Sequence, residues 1–413
     1  MMKKLWIIVY AVHFGVISPH AQPLDSMLYG INGEDNPALR AGYFGYQALL
    51  QRETQALQWP EPEFNLDFIA FPFPNRSFMP SATFGLMQPI PWKGVREGKA
   101  ALALAEANTA LEGVRVERLE LRFQLKEAYW QLFELGRSAG LIAQNLDLLK
   151  ALERLAQSNL ELGRGTMDEV LEVKMRILAL EQQLRQLQNA RRNPQATINR
   201  ILDRAADTPV FIAETPAGLA PMAADTPVRE EITARYPGLL AIDHETSASL
   251  QRQLLNRLDS RPSVQAGLDY VLMNTGEGAH TTDGRDMLMP RVGVRLPIFR
   301  QTYYSRGEEE RLRQAALANQ KKVAENTLLA SLEQAQALWE DARIQYQTAR
   351  EQMPLVESAI RLAETALATD QGGLDKILRL YEQLLSVKLQ EVQAITKSHL
   401  AVAAFERWTD APE

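Results

Sequence analysis

Residues 331–367 read SLEQAQALWEDARIQYQTAREQMPLVESAIRLAETAL, and two interleaved rows run through them. Leu332, Trp339, Tyr346, Met353, Ile360 and Leu367 recur every seven residues, and Ala335, Ala342, Ala349, Val356 and Ala363 fill the places between. All eleven are apolar, a large row alternating with a mostly small one. A period of 3.5 residues sustained this far specifies helices packed along their whole length, and a small row lets the partner helix come close. Pro354 sits inside the array, where it removes a backbone hydrogen bond and crowds the preceding turn, so a kink is expected there. It precedes the turn at Gln371-Gly372-Gly373 by roughly 24 Å of helix.

The same rows stand earlier in the chain, at Leu125, Ala128, Leu132, Leu135, Ala139, Ile142, Leu146, Leu149, Ala156 and Leu160, with Glu153 the exception and Asp147 in the place of Pro354. No proline lies between Trp92 and Asn193, and Gly163-Arg164-Gly165-Thr166 is the clear stop. A helix from about Val95 to Leu162 would be roughly 100 Å long, which no compact globular domain needs. Beyond the two turns the pattern resumes at Val170, Val173, Ile177, Leu180, Leu184 and Leu187, and at Ile377, Leu380, Leu384 and Val387. Each array therefore reads as a long antiparallel coiled-coil hairpin.

The two arrays belong to an internal duplication. Asn36-Pro37-Ala38-Leu39 returns as Tyr236-Pro237-Gly238-Leu239, and Leu50-Gln51-Arg52 as Leu250-Gln251-Arg252, both 200 residues later. Ile90-Pro91 matches Leu296-Pro297 at an offset of 206, and Gly165-Thr166-Met167-Asp168 matches Gly372-Gly373-Leu374-Asp375 at 207. Constant order at a near-constant offset marks a repeat with a short loop insertion. The expected organisation is residues 1–21 as a signal peptide, 22–35 as an extended segment, 36–203 and 236–408 as the two repeats, a Pro-rich connector over 204–235, and a tail over 409–413.

Each repeat opens with a modest helix and two strand-like runs. Pro262 to Asn274 and Met289 to Phe299 alternate apolar residues with charged or small ones; Phe64 to Phe71 and Ser81 to Ile90 do so less regularly. One apolar and one polar face over about 10 residues is the pattern of a membrane strand beside a wet lumen, and also of a soluble hairpin on a core. Gly276, Gly278, Thr281, Thr282 and Gly284 in one hairpin, and Pro72, Pro74 and Pro80 in the other, are loop residues. Four strands cannot close on themselves in a bilayer, since spanning barrels start at about eight and an open edge leaves unpaired backbone groups in lipid. Several chains would have to share one barrel.

Composition narrows the function. With no cysteine, disulfide scaffolds, thiolate zinc sites and thiol nucleophiles are excluded. His13, His20, His244, His280 and His399 form no helical metal pair, and 45 Lys+Arg against 51 Asp+Glu argue against nucleic acid. There is no nucleophile elbow, phosphate loop or dinucleotide fingerprint, so neither an enzyme nor a cofactor is expected. Lys3 and Lys4 precede an apolar run from Leu5 to Ile17 and then Ser18-Pro19-His20-Ala21, the order of a secretory signal peptide. A secreted or periplasmic coiled-coil structural or adaptor protein would share the heptads but needs no paired amphipathic strands.

The order of these segments resembles the TolC-like outer membrane efflux proteins, from Asn36 to Trp408. The resemblance rests on the duplicated strand-strand-helix-turn-helix order, on the Pro89-Ile90-Pro91 and Leu296-Pro297-Ile298-Phe299 exits from the strands, and on the turns Leu160–Leu171 and Leu367–Leu378. It implies a mainly α chain with a membrane β-barrel portion, and a homotrimer whose chains each add four strands to a twelve-stranded barrel. Below the outer membrane lipid, the helices would form a coiled-coil tunnel through the periplasm to a periplasmic adaptor and an inner-membrane pump. In a Gram-negative bacterium such a chain is the passive exit duct of a tripartite export system. Asp375, with Asp370, matches the acidic periplasmic aperture of the family; three copies would focus a field favouring cations. An Asp there also fits plain capping of the ascending helix, worth roughly 0.3–1 kcal/mol, as does Asp168. The tips Gly163, Gly165, Thr166, Met167, Asp168, Gly372, Gly373 and Leu374 are the expected adaptor-docking residues.

Overall fold

The computed structural model describes residues 23–32, 36–68, 78–212, 216, 218–222, 229–275, 286–368 and 373–409. The expected signal peptide, Pro72 and Pro74, the loop from Gly276 to Gly284, and Asp370 and Gly372 at the second turn lie outside them. The described chain runs α1 (Leu24–Asn32), α2 (Pro37–Leu57), β1 (Glu63–Phe68), β2 (Phe78–Ile90), α3 (Val95–Glu161), α4 (Met167–Ala190), α5 (Arg192–Ile201), α6 (Arg229–Arg235), α7 (Pro237–Asp259), β3 (Ser263–Thr275), β4 (Met287–Arg295), α8 (Arg300–Ala368) and α9 (Leu374–Thr409). Pro37 and Pro237 open their helices at the first position, where a missing N–H costs nothing.

The chain forms two compact units, one of Met1–Pro37, Arg118–Thr226 and Ser331–Arg407, the other of Ala38–Glu117, Pro227–Ala330 and Trp408–Glu413. Each takes segments from both repeats, and boundaries fall inside α2, α3, α8 and α9.

In α8 the small heptad row is covered throughout, the large row only at Leu332 and Ile360. Ala335, Ala342, Ala349 and Ala363 are at most 3% exposed, whereas Trp339, Tyr346 and Met353 of the large row are half-buried. Small side chains let the helices approach, so their own Cβ atoms are covered while the three bulky side chains between Leu332 and Ile360 lie toward the flank. Trp339 settles there by donating Nε1–H to the Ala220 carbonyl at 2.9 Å. α8 remains helical through Pro354. Ile142, Leu146, Leu149 and Ala156 of α3 pack with Val170, Val173 and Ile177 of α4 and with Leu374, Leu378 and Leu385 of α9. The hairpin of one repeat thus shares its core with a helix of the other.

The second unit carries a four-stranded antiparallel sheet in the order β1-β2-β3-β4, the repeats meeting at β2 and β3. β2 begins three residues before the expected Ser81. β4 spans Met287–Arg295 rather than Met289–Phe299. It stops before Pro297, which has no N–H for a ladder; tight bonds from Ile298 N to Leu296 O (2.9 Å) and Arg300 N to Ile298 O (3.1 Å) replace it.

Candidate functional site

The sheet has two chemically distinct faces. Residues directly opposite each other across an antiparallel pair point the same way, so the register assigns every side chain. Phe64 pairs with Leu86, Leu86 with Leu268 and Leu268 with Pro290; one step along, Leu66, Phe84, Tyr270 and Leu288 are opposite one another. Val292 and Val294 continue this face opposite Ala266 and Val264. Its large side chains are open to the surroundings: Phe64 is 64% exposed, Phe68 69%, Leu288 61% and Val292 70%. The other face carries Asn65, Asp67, Thr83, Gln265, Asp269, Arg291 and Arg295, together with Met87, Val271, Met287 and Met289, of which Met87 and Val271 are buried. Asp269 is buried there, its Oδ2 3.4 Å from Arg291 Nη1. Gly85 makes room for that carboxylate, since a Cβ at this position would lie 2.8 Å from Asp269 Oδ1. Large apolar side chains are thus exposed on one face while a carboxylate is covered on the other, its Arg291 partner half exposed. No helix among the described residues is long and apolar enough to cross a membrane.

The hairpin tip in the other unit is a built turn. Gly163 has φ of +70°, a conformation that Cβ makes costly, and its N–H reaches Leu160 O at 3.0 Å. Arg164 and Gly165 N–H groups both go to Asn159 O, at 2.8 and 3.1 Å. Thr166 then caps α4: Glu169 N–H donates to its Oγ1 at 3.4 Å, and Thr166 N–H donates to Glu169 Oε2 at 3.1 Å. Met167 and Asp168 are exposed, as is Gly373 at the second turn. Leu374 is only 5% exposed, and its side chain belongs to the core.

Asp375, in the first turn of α9, lies 2.5 Å from Arg379 Nη2 and 3.6 Å from Arg176 Nη2. Arg176 also meets Glu172 at 2.7 Å and Glu382 at 3.2 Å, so one guanidinium on α4 serves three carboxylates on two helices. Sequence reading missed this hub, because Arg176 shows no pattern until α9 lies beside α4. It also missed Met167, Leu171, Met175 and Leu178, each 50% exposed or more, which line α4 opposite its buried Val170, Val173 and Ile177. Their spacing of four, four and three residues was the available signal.

No protein-family model matches the sequence, and no curated protein matches it. Solved structures do. The outer-membrane channel OprN matches with a TM-score of 0.81 at 15% identity, over 94% of this chain and 90% of its own. The outer membrane protein VceC of Vibrio cholerae matches at 0.77 and 13% identity, over 94% and 96%. The CmeC outer membrane channel of Campylobacter jejuni matches at 0.78 and 12%, over 94% and 85%. This chain has the TolC-like fold. At 12–15% identity the likeness is one of fold, and most individual side chains differ. Among its described residues this TolC-like chain holds no group of three or more His, Asp or Glu that could take a metal ion.

Proposed function

We propose that the chain is one third of an outer-membrane exit duct. Three copies close a twelve-stranded barrel with the polar sheet face inward, and their helices line a passage through the periplasm. The duct is passive: substrate enters from an inner-membrane pump through a periplasmic adaptor, and no step of chemistry falls to this chain. The observation that carries the reading is the exposed apolar face running in register across all four strands. A sheet in water buries such a face on a core; here lipid is the covering that its size and continuity demand. The solved channels of the same fold are described as outer-membrane proteins, which supports the same setting.

In this reading the tips formed by Gly163, Gly165, Thr166, Met167 and Asp168, with Gly373, meet the adaptor, and the exposed stripe from Met167 to Leu178 extends the contact along α4. Asp375 lines the periplasmic aperture with Arg176 and Arg379 balancing its charge, and Pro354 bends α8 above it. The test is recovery. The mature protein is expected in the outer-membrane fraction, as a detergent-stable trimer that forms ion-conducting channels in planar bilayers. A water-soluble monomer overturns the proposal. For docking, cysteines at Thr166 and Gly373 should cross-link to the adaptor in cells that assemble the pump; no product from either site removes that part alone.

A further inference from the structure

The two open edges of the sheet carry opposite charges. β1 presents Glu63 and Asp67 on the polar face, and neither has an ion-pair partner among the described residues. β4 presents Arg291 and Arg295 on that same face, and Arg295 is likewise without a carboxylate partner among them. On each strand the two charges are four residues apart. Strands that are antiparallel within the sheet remain so when the edge of one copy meets the other edge of the next. Glu63 at the helix end of β1 then comes to the level of Arg295 at the helix end of β4.

We infer that β4 of one copy pairs with β1 of a second copy in a single register, with Arg295 opposite Glu63, Gly293 opposite Asn65 and Arg291 opposite Asp67. The inference rests on the trimeric-barrel reading and adds to it which residues meet at each seam. Three features select this register. It joins both charge pairs, whereas a slip of two residues in either direction keeps at most one. It continues the apolar face without a break, setting Val294 beside Phe64 and Val292 beside Leu66; a slip of one residue would turn that face into the lumen. It also tilts the strands as closure requires. Within the sheet Glu63 is level with Met87, Gly267 and Arg291. Pairing Arg291 with Asp67 of the next copy therefore advances the ladder by about four residues per copy, a shear of about twelve around three copies. With strands about 4.8 Å apart rising about 3.4 Å per residue, that shear gives a tilt of about 35°, inside the range of spanning barrels. Arg291 ends between Asp269 of its own chain and Asp67 of the neighbour, so the lumen wall gains a charge cluster at each of three seams.

Because the chain has no cysteine of its own, engineered thiols report the register directly. Residues directly opposite on paired strands have Cα atoms about 4.5–5.5 Å apart, within disulfide reach. The double variant Asn65→Cys/Gly293→Cys should oxidise to a covalent trimer on a non-reducing gel. Asp67→Cys/Gly293→Cys, which matches a slip of two residues, should stay uncross-linked. Arg295→Glu should lower the recovery of trimer severalfold, and adding Glu63→Arg in the same chain should restore it. Trimers that cross-link in the Asp67→Cys/Gly293→Cys variant, or in neither variant, overturn the register while leaving the duct intact. Material that is monomeric and absent from the outer membrane overturns the duct itself.

Discussion

Arg252 donates to Glu106 at 2.8 Å, bringing a residue of the second repeat onto a helix of the first. Its counterpart in the duplication, Arg52, approaches the other oxygen of the same carboxylate at 4.0 Å. The pseudo-symmetry is therefore unequal: Arg252 is 24% exposed and holds Glu245 as well, at 3.0 Å, whereas Arg52 is 62% exposed. Exposed pairs contribute little and partly buried, doubly bonded ones more. Arg252→Gln should cost about 1–2 kcal/mol in denaturant unfolding, and Arg52→Gln less than about 0.5 kcal/mol. Equal losses would mean that the difference in geometry has no energetic consequence.

The small heptad row should not tolerate enlargement. Ala349 is 1% exposed where α8 packs against its neighbours, so Ala349→Leu should destabilise by about 1–3 kcal/mol through overpacking. Gln352→Leu, on the exposed side of that helix, should stay within about 0.5 kcal/mol. The comparison is read from the midpoint of chemical denaturation, and a benign Ala349→Leu would refute close approach along this row.

Charge at the tip is testable by conductance. Removing the carboxylate in Asp375→Ala should reduce cation selectivity and block by divalent ions, because three copies of the acid would otherwise sum their fields. Arg176→Gln should act in the opposite direction, since it leaves Glu172, Asp375 and Glu382 without their shared counter-charge. Channels indifferent to both substitutions would limit Asp375 to capping α9.

His399 predicts a pH effect on stability. Its ring stacks on Trp130 with centroids 3.6 Å apart, and burial pushes its pKa down to about 4 from the ordinary value near 6.5. In the unfolded chain the imidazole takes up a proton below pH about 6.5, while the folded protein resists until pH about 4, so the unfolded state binds more protons in between. Stability should fall as pH drops from about 6.5 to about 4 and then cease to fall on this account. His399→Phe, which keeps the stacking, should remove that part of the slope in thermal unfolding followed from pH 8 to 4. An unchanged slope would place the pH dependence on other groups.

Much of the architecture was legible because it repeats. The heptads, the turn glycines and the paired alternations each obey a local period, and a local period survives in sequence even where neighbouring copies share few residues. Strand ends were less legible: β2 takes in Phe78 to Pro80, before the point where its alternation becomes regular, because pairing with β3 across the repeat boundary supplies partners that no local pattern announces. Leu374 illustrates the same limit at the tip. As a turn residue it reads as surface, yet α3 and α4 of the other repeat cover it.

From sequence alone came the helices, their turns, the duplication and the presence of two-faced strands, since backbone geometry and hydrophobic period act over a few residues at a time. Tertiary structure decided what those elements meet: which heptad positions are covered, that Arg176 gathers carboxylates from two helices, and that the large apolar side chains of the four strands align into one exposed surface. These depend on contacts between residues hundreds of positions apart, and the chain records no distance between them until it is folded.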